Sequence, residues 1–214
     1  MKKGSYFSFK EILSQKSAPS SIFSMGFDVK TRDACGQTLL IAATISNNMV
    51  LVDSLLVQPD IDPNAIDYEG RTALMHAIIS GRQTLLKTLV RHSKIEVNQQ
   101  DSQEMSALML AAGLGADNAV TQLLLHPDID VNLMDCCGRT ALMLAVLYGE
   151  NDIVEQLLRY PGIDDTLKDR LGRTAFFFAK YLNRHGIVEQ LLQHPQFIAT
   201  RDTSFRKVEI MHGV

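Results

Sequence analysis

An aspartate recurs along this chain at an interval of 34 residues. The spacing holds for five positions and shortens to 33 residues before the sixth: Asp33, Asp67, Asp101, Asp135, Asp169 and Asp202. A period of 20–50 residues is typical of proteins built from stacked copies of one small unit. Each copy buries its apolar face against its neighbours, so such a chain needs no single central core. The period therefore constrains the fold more than length or composition does.

Alignment on these aspartates divides the chain into seven segments: a degenerate N-terminal capping unit (1–32), five repeats (33–66, 67–100, 101–134, 135–168 and the cap-like 169–201) and a tail (202–214). In the first segment, Ser8 is expected to cap a helix from Phe9 to Gln15, and Pro19 to open a second helix over Ser20–Ser24. The tail is too short for a further repeat. It either folds over the fifth repeat or belongs to a longer protein.

Turn and cap residues recur at fixed positions in each repeat. Three residues after the aspartate, four repeats carry a glycine, which suits a turn with positive φ. The third repeat has Glu104 there, so its turn is expected to be distorted or strained by about 1 kcal/mol. Two positions further on stands a hydroxyl suited to helix capping: Thr38, Thr72, Ser106, Thr140 and Thr174. An Asn or Gly fourteen residues after the aspartate predicts the left-handed end of a first helix: Asn47, Gly81, Gly115, Gly149 and Asn183.

Apolar periodicity predicts a second helix in every repeat. In the fourth repeat, Val154, Leu157 and Leu158 follow the i, i+3, i+4 spacing of an apolar helical stripe. Within the first helix, an alanine occupies one column in all five repeats, which predicts two helices in close contact there: Ala43, Ala77, Ala111, Ala145 and Ala179. We therefore expect a pair of helices in each repeat.

These columns together resemble the ankyrin repeat. Asp-Tyr-Glu-Gly-Arg-Thr-Ala-Leu-Met-His-Ala (67–77) matches the turn and first helix of that family, and residues 149–158 match its second helix. The resemblance covers about residues 26–202 and implies an all-α solenoid of paired antiparallel helices with β-turn or hairpin fingers, in a single elongated domain. The chain departs from the family in its 34-residue unit and in lacking the Pro and His of the first helix. Neither departure threatens the fold.

Charge and composition exclude several classes of function. The formal net charge of -3 leaves no basic surplus to bind a phosphate backbone, so nucleic acid is not an expected partner. No apolar run approaches the ~20 residues that cross a bilayer, and no secretory signal follows Met1. Three cysteines form no disulfide framework and suit a reducing compartment. We expect a cytoplasmic or other intracellular protein, with delivery into another cell as an effector left open.

No catalytic or cofactor-binding motif occurs in the sequence, so we expect no enzymatic activity, no cofactor and no metal. Three histidines share one column at the ends of second helices: His92, His126 and His194. Equivalent positions in stacked helices lie roughly 10 Å apart, too far to share one ion. We interpret them as polar residues that suit helix C-termini. The other histidines, His76, His185 and His212, are expected at the surface.

Two further motifs are interpreted without metal chemistry. Cys136 and Cys137 have the wrong spacing for a two-cysteine metal site and are expected to be turn residues, with an oxidisable exposed thiol as the alternative. Asp128 and Asp130 are expected to form loops, because calcium would need oxygen ligands at several fixed positions.

The family resemblance assigns partner binding to the finger tips and to the exposed side of the first helix, which line the concave face. The first-helix positions are Ile45, Ile79, Gly113, Leu147 and Tyr181, and beside them Ser46, Ser80, Leu114, Tyr148 and Leu182. The tip positions are Tyr68, Glu69, Arg71, Gln103, Met105, Arg139, Arg170, Leu171 and Arg173. An apolar floor of this extent is typical of an interaction site. Because three tip arginines share one column, we expect a groove with a basic rim, suited to a peptide with apolar anchors and acidic flanks. Alternatively, these residues pack against neighbouring fingers or the tail.

Two repeats depart from the others on this face. Glu104 and Gly113 in the third repeat predict a notch that receives one large partner side chain. In the fifth repeat, Phe176, Phe177, Phe178 and Tyr181 crowd one helix. They predict either a closing core under the tail, and hence a monomer, or a dimer or domain interface.

The sequence thus predicts a non-catalytic protein-interaction module, an ankyrin-repeat scaffold or adaptor. One alternative is the recognition arm of a larger enzyme or secreted effector. Another is a domain that binds a small molecule or nucleotide, which the aromatic and arginine residues Tyr148, Tyr181 and Arg173 would support.

Overall fold

The structure is a computed structural model that describes residues 9–14 and 28–194. Ser8, Gln15, the helix expected over Ser20–Ser24 and the tail lie outside the described residues. The chain divides into two compact units, and each is described by itself: unit one extends through Ser102, and unit two begins at Gln103. The single elongated domain and the segment boundaries stay predictions.

Unit one contains a short N-terminal helix and two helix pairs: α1 (Phe9–Ser14), α2 (Leu39–Ile45), α3 (Met49–Leu56), α4 (Ala73–Ile79) and α5 (Gln83–Val90). Helix α1 packs against α2, the first helices α2 and α4 pack side by side, and each first helix packs against the second helix of its own repeat. The centre of this unit is made of side chains without measurable solvent contact, such as Leu39, Leu55 and Leu89.

Unit two contains three helix pairs: α6 (Ala107–Gly113), α7 (Asp117–Leu124), α8 (Ala141–Tyr148), α9 (Asn151–Leu158), α10 (Ala175–Tyr181) and α11 (His185–Gln193). The first helices form one layer in the order α6, α8, α10, and the second helices form another in the order α7, α9, α11. Paired helices with no strand among the described residues give an all-α fold.

The helices begin where the hydroxyl column predicts. The side chain of Thr140 accepts a hydrogen bond from the N–H of Met143, and the same cap forms at Thr38, Thr72, Ser106 and Thr174. Each cap satisfies one of the N–H groups that a helix start leaves without an intrahelical partner. The predicted N-caps are confirmed in every described repeat.

The left-handed positions are also confirmed. Gly115 and Gly149 have φ of +65° and +81°, and the corresponding asparagines, Asn47 and Asn183, have φ of +58° and +55°. Glu104 adopts φ of +58° in the third finger, so its backbone follows the glycine conformation at a cost of about 1 kcal/mol. The strained turn is confirmed, and Ser106 still caps the helix that follows it.

Close packing at the alanine column is confirmed too. All five alanines are at most 1% exposed: Ala43, Ala77, Ala111, Ala145 and Ala179. A larger side chain in this column would displace the neighbouring helix, since protein interiors are packed at nearly crystalline density. The shared residue size therefore holds successive layers at a common spacing within each unit.

Candidate functional site

A buried or half-buried aspartate organises the finger in four of the repeats. In the fourth repeat, Oδ1 of Asp135 accepts hydrogen bonds from the backbone N–H groups of Cys137 and Arg139, at 2.9 and 2.8 Å. Its Oδ2 accepts from Nε of Arg139 at 2.8 Å. The same backbone pattern recurs at Asp33, Asp67 and Asp169. One carboxylate thus fixes the path of the turn and the direction of the tip side chains.

Backbone hydrogen bonds link neighbouring fingers within each unit. In unit one, Tyr68 N–H donates to Cys35 O at 3.2 Å, and Ser102 N–H donates to Glu69 O at 3.0 Å. In unit two, Cys136 N–H donates to Gln103 O and Arg170 N–H donates to Cys137 O, both at 3.0 Å. Equivalent tip positions therefore lie side by side in successive repeats of the same unit.

The hydrogen bonds at Asp169 keep this carboxylate charged. Burial raises its pKa, but hydrogen bonds from the Arg173 side chain and from the backbone N–H groups of Arg173 and Leu171 outweigh burial, so the pKa lies below its usual value. A hydrogen bond to the charged form stabilises that form. The finger of the fifth repeat is therefore tied to an ionised aspartate.

His76 has a structural role that the sequence analysis missed. Its Nε2 lies 2.7 Å from Oδ2 of Asp67, and the histidine is 9% exposed. Burial raises the pKa of Asp67, but the His76 hydrogen bond and two backbone hydrogen bonds lower it below the usual value. The expectation of a surface histidine was wrong, because position 76 is on the buried side of α4, where the aspartate supplies a partner.

The basic rim is largely neutralised by the fingers themselves. Nη2 of Arg139 lies 2.7 Å from Oδ2 of Asp135, and Nη2 of Arg173 lies 2.6 Å from Oδ2 of Asp169. Arg71 forms an ion pair with Glu69 in unit one. These arginines are half-buried and bonded within their fingers, so they contribute less positive charge to a partner than the sequence suggests. The small-molecule hypothesis depends on Arg173, and the bond to Asp169 leaves the Arg173 guanidinium less available to a ligand.

Every predicted contact residue is at least partly exposed, though the degree differs. In unit one, Ile45 and Ser80 are half-buried, and Ile79 is exposed. In unit two, Leu147 is half-buried, whereas its neighbour Tyr148 is 60% exposed. The remaining positions of the binding prediction are exposed or half-buried: Ser46, Tyr68, Glu69, Arg71, Gln103, Met105, Gly113, Leu114, Arg139, Arg170, Leu171, Arg173, Tyr181 and Leu182.

The notch predicted at Gly113 is occupied by a neighbouring ring. A Cβ atom at Gly113 would lie 3.5 Å from Cε2 of Tyr148, which is an ordinary van der Waals distance. Tyr148, from the next repeat, thus covers the space that the missing side chain leaves. In the sequence the two residues are only neighbouring floor positions, and nothing there indicates that one covers the other.

The aromatic residues of the fifth repeat divide between core and surface. Phe176 and Phe178 are buried, and the guanidinium of Arg173 lies 4.7 Å from the centre of the Phe178 ring. Phe177 is half-buried and stacks on exposed Tyr181, with ring centres 6.0 Å apart and an interplanar angle of 8°. Phe176 and Phe178 thus belong to the core of unit two, while Tyr181 presents an aromatic surface. The tail that the closing-core prediction places over them lies outside the described residues.

Loop residues outside the predicted face tie successive repeats together. Nε2 of His92 lies 3.3 Å from Leu56 O at the end of the preceding second helix, as expected for a histidine near a helix C-terminus. Asn132 donates to Gly162 O at 2.8 Å and accepts from Asp164 N–H at 2.9 Å. The role of Asn132 was not predicted from the sequence, although Asn64 occupies the same column and makes the equivalent contacts.

Asp165 is a third residue whose role was not predicted from the sequence. It is 5% exposed, and burial raises its pKa above the usual value despite a hydrogen bond from His194. Its Oδ1 has no hydrogen-bond partner among the residues that the structure describes. The sequence shows only that Asp165 follows another aspartate, Asp164, and such a pair does not indicate that one member is buried.

The cysteines and loop aspartates have the local roles expected of them. Cys137 N–H donates to Asp135 within the turn, and Oδ1 of Asp130 accepts from Asn132 N–H at 2.9 Å. Cys35, Cys136 and Cys137 are free thiols. In the part of the chain that the structure describes, no three side chains of the metal-binding types come together. No helix in residues 9–14 and 28–194 combines the length and apolarity that a bilayer crossing needs.

Comparison with known proteins identifies the family to which this architecture belongs. The family model described as "Ankyrin repeats (3 copies)" matches residues 3–101, 85–169 and 108–202. The chain belongs to the ankyrin repeat family, and the fold is an ankyrin-repeat α-solenoid. The crystal structure of EF0377, an ankyrin repeat protein, is similar, with a TM-score of 0.73 and 27% identity over 86% of this chain and 90% of that chain. No curated protein matches the sequence. Ankyrin repeats are general protein-interaction modules and are generally non-catalytic.

Proposed function

We propose that this protein is a non-catalytic interaction module that binds a protein or peptide through the exposed side of its first helices and the adjoining finger tips. Exposed apolar side chains at the C-terminal ends of the unit-two first helices carry the proposal. Leu114, Tyr148 and Leu182 occupy one column of successive repeats and are 57%, 60% and 37% exposed. A row of large apolar side chains left in solvent is typical of an interaction surface. We call these three residues and Tyr181 the unit-two face.

The way this face is built supports binding. Tyr148 rests against Gly113 and Tyr181 against Phe177, so both rings are held in place before a partner arrives. Aromatic side chains that are already ordered lose little conformational entropy on association. The neighbouring fingers are fixed by buried aspartates and by backbone hydrogen bonds. Both features suit a preformed binding surface.

An intracellular setting is part of the proposal. The free thiols Cys35 and Cys137 are exposed, and such thiols persist most readily in a reducing compartment. We expect the protein to act there as a monomeric scaffold or adaptor.

Affinity capture with matched variants tests this function. Leu114→Glu/Tyr181→Glu places charge on the unit-two face, and Leu125→Glu places a charge on a residue 73% exposed at the end of the second helix α7. Captured proteins are quantified by mass spectrometry, and the leading candidate is purified for titration. We expect at least a tenfold loss of affinity for the face variant and no loss for Leu125→Glu. Equal binding by both variants, with unchanged thermal unfolding, would place the partner elsewhere.

A further inference from the structure

Basic side chains in unit two are concentrated in its last repeat. Residues 103–168 carry ten acidic and three basic side chains, whereas residues 169–194 carry two acidic and four basic ones. One of these two acids, Asp169, is already bonded to Arg173. Arg170, Lys180 and Arg184 are exposed. The fifth repeat therefore presents positive charge on a unit that is otherwise acidic.

A chain of side-chain contacts links the finger of this repeat to the end of its first helix, and it passes through the buried ring of Phe178. Arg173 bonds to Asp169 in the finger, and its guanidinium lies 4.7 Å from the centre of the Phe178 ring in α10. Phe178 in turn packs edge-on against Phe177, with ring centres 5.9 Å apart. Phe177 supports the exposed ring of Tyr181. Contacts thus run without a break from the tip to the end of the helix.

Each end of this chain of contacts carries an exposed apolar side chain close to exposed basic ones. Leu171 is 73% exposed and Tyr181 is 74% exposed. Arg170 lies beside Leu171 in the tip, whereas Lys180 and Arg184 lie around the end of α10. We call Arg170, Leu171, Lys180, Tyr181 and Arg184 the repeat-five patch.

We propose that the repeat-five patch binds an acidic segment of a partner protein, in which aromatic or aliphatic anchors stand next to Asp or Glu residues. Leu171 and Tyr181 each contact an apolar anchor, and the acidic residues beside the anchors face Arg170 and Arg184. The proposal rests on the proposed function and narrows it to one repeat and one class of partner. Because the arginines are exposed, their attraction weakens with ionic strength, while the apolar contact does not.

Charge outside the patch favours a peptide over a nucleic acid. Basic and aromatic groups together also suit single-stranded nucleic acid, whose bases stack on aromatic rings. A polynucleotide that extends past the patch meets the acidic residues of repeats three and four, such as Glu104 and Glu150. A short acidic segment contacts the patch alone. The negative charges of these acidic residues would repel the phosphates of the longer polynucleotide.

Selection from a random peptide display library on the full chain tests the inference. The wild-type protein is compared with Arg170→Glu/Arg184→Glu, which reverses the charge at both ends of the patch. Arg91→Glu is the matched control, because Arg91 is an exposed arginine in unit one. Selected peptides are then titrated by fluorescence anisotropy at low and high salt. A 12-nucleotide oligo-dT and sedimentation velocity are run alongside.

We expect wild-type and Arg91→Glu proteins to enrich peptides with Asp or Glu around an apolar residue. The double variant should bind those peptides at least tenfold more weakly and should enrich Lys or Arg instead. Enriched peptides without acidic bias would overturn the inference but leave the interaction function standing. No enriched peptide at all would count against both. If oligo-dT binds more tightly than the selected peptides, the patch binds nucleic acid instead. If the wild-type protein is a dimer that Tyr181→Ser abolishes, the patch binds a second copy of the chain.

Discussion

Nδ1 of His194 lies 2.7 Å from Oδ2 of Asp165, so the end of α11 is tied to the loop that precedes its own repeat. The Asp165 side chain is 1% exposed, and that of His194 is 13% exposed. The contact holds His194, the last described residue of unit two, against the preceding repeat.

Loss of this contact should destabilise the protein. We expect His194→Ala to lower the unfolding free energy by about 1–3 kcal/mol, because a buried carboxylate would lose its side-chain partner. His126→Ala is the matched control from the same column, since Nδ1 of His126 only accepts from Asp128 N–H at 3.3 Å. Urea unfolding of both variants measures the difference. Equal losses would show that the His194–Asp165 contact adds nothing to stability.

The finger aspartates should contribute stability that depends on pH. The pKa of Asp169 is below its usual value of 3.8 in the folded state, so the unfolded state binds protons first as pH falls. The stabilisation is therefore complete above about pH 4 and is lost as pH falls through the folded pKa. Asp169→Asn should cost about 1–3 kcal/mol at pH 7, and its difference from wild type should shrink towards pH 2.

Urea unfolding from pH 7 to pH 2 measures this difference. Glu189→Gln removes an exposed carboxylate from α11 and should change stability by less than about 0.5 kcal/mol. A difference between Asp169→Asn and wild type that stays constant over the whole range would exclude the ionised carboxylate as its cause.

Alanine substitutions at two finger glycines distinguish the cost of backbone strain from the cost of close packing. Gly138 and Gly172 have φ of +78° and +75°, so an alanine at either position is strained by about 1–2 kcal/mol. A Cβ at Gly138 would lie 2.9 Å from the backbone N of Arg170, whereas no atom of the described residues lies within 4 Å of a Cβ at Gly172. Gly138→Ala should therefore cost at least about 1 kcal/mol more than Gly172→Ala in thermal or urea unfolding. Equal costs would mean that the neighbouring finger moves aside freely.

The fold was predictable because its determinants are local and repeat in register. Thr140 caps a helix through a residue three positions away, and Gly149 ends that helix through its own φ. Each determinant acts within one turn of chain, and five copies make the pattern visible in a single sequence. The period then sets which layers come into contact.

The surface was less predictable, because its character depends on contacts that bring other residues together. Arg139 occupies a rim position in the sequence, but its charge is bonded to Asp135, which the turn places beneath it. Gly113 predicts an empty space, but Tyr148, 35 positions later, covers it. His76 shows the same limit, since its partner Asp67 becomes visible only once the turn and the helix are built. The position of a residue within the repeat predicted which side chains are exposed, but it did not predict which other side chains contact them.

The contact between Tyr148 and Gly113 predicts the effect of a small substitution. Gly113 is the last residue of α6, and alanine favours a helix over glycine by about 0.5–1 kcal/mol. Because the added Cβ would meet Tyr148 at 3.5 Å, Gly113→Ala should raise the unfolding free energy by that amount. Gly186→Ala in α11 is the control, since a Cβ there would meet only Asn151 Oδ1 at 3.9 Å. If only the Gly113 variant is destabilised, the ring of Tyr148 leaves no room for a methyl group.

The thiol of Cys136 should react slowly at neutral pH. Burial raises its pKa, and the Cys137 thiol and the carboxylates of Asp135 and Glu104 raise it further. Since the thiolate is the reactive form, alkylation of Cys136 by iodoacetamide should accelerate at a higher pH than is usual for a thiol. Glu104→Gln removes one negative charge and should shift this rise in rate to lower pH. Peptide mass spectrometry measures the rate at Cys136, with Glu150→Gln as a charge-matched control expected to have no effect. An unchanged rate in Glu104→Gln would show that solvent screens this carboxylate from the thiol.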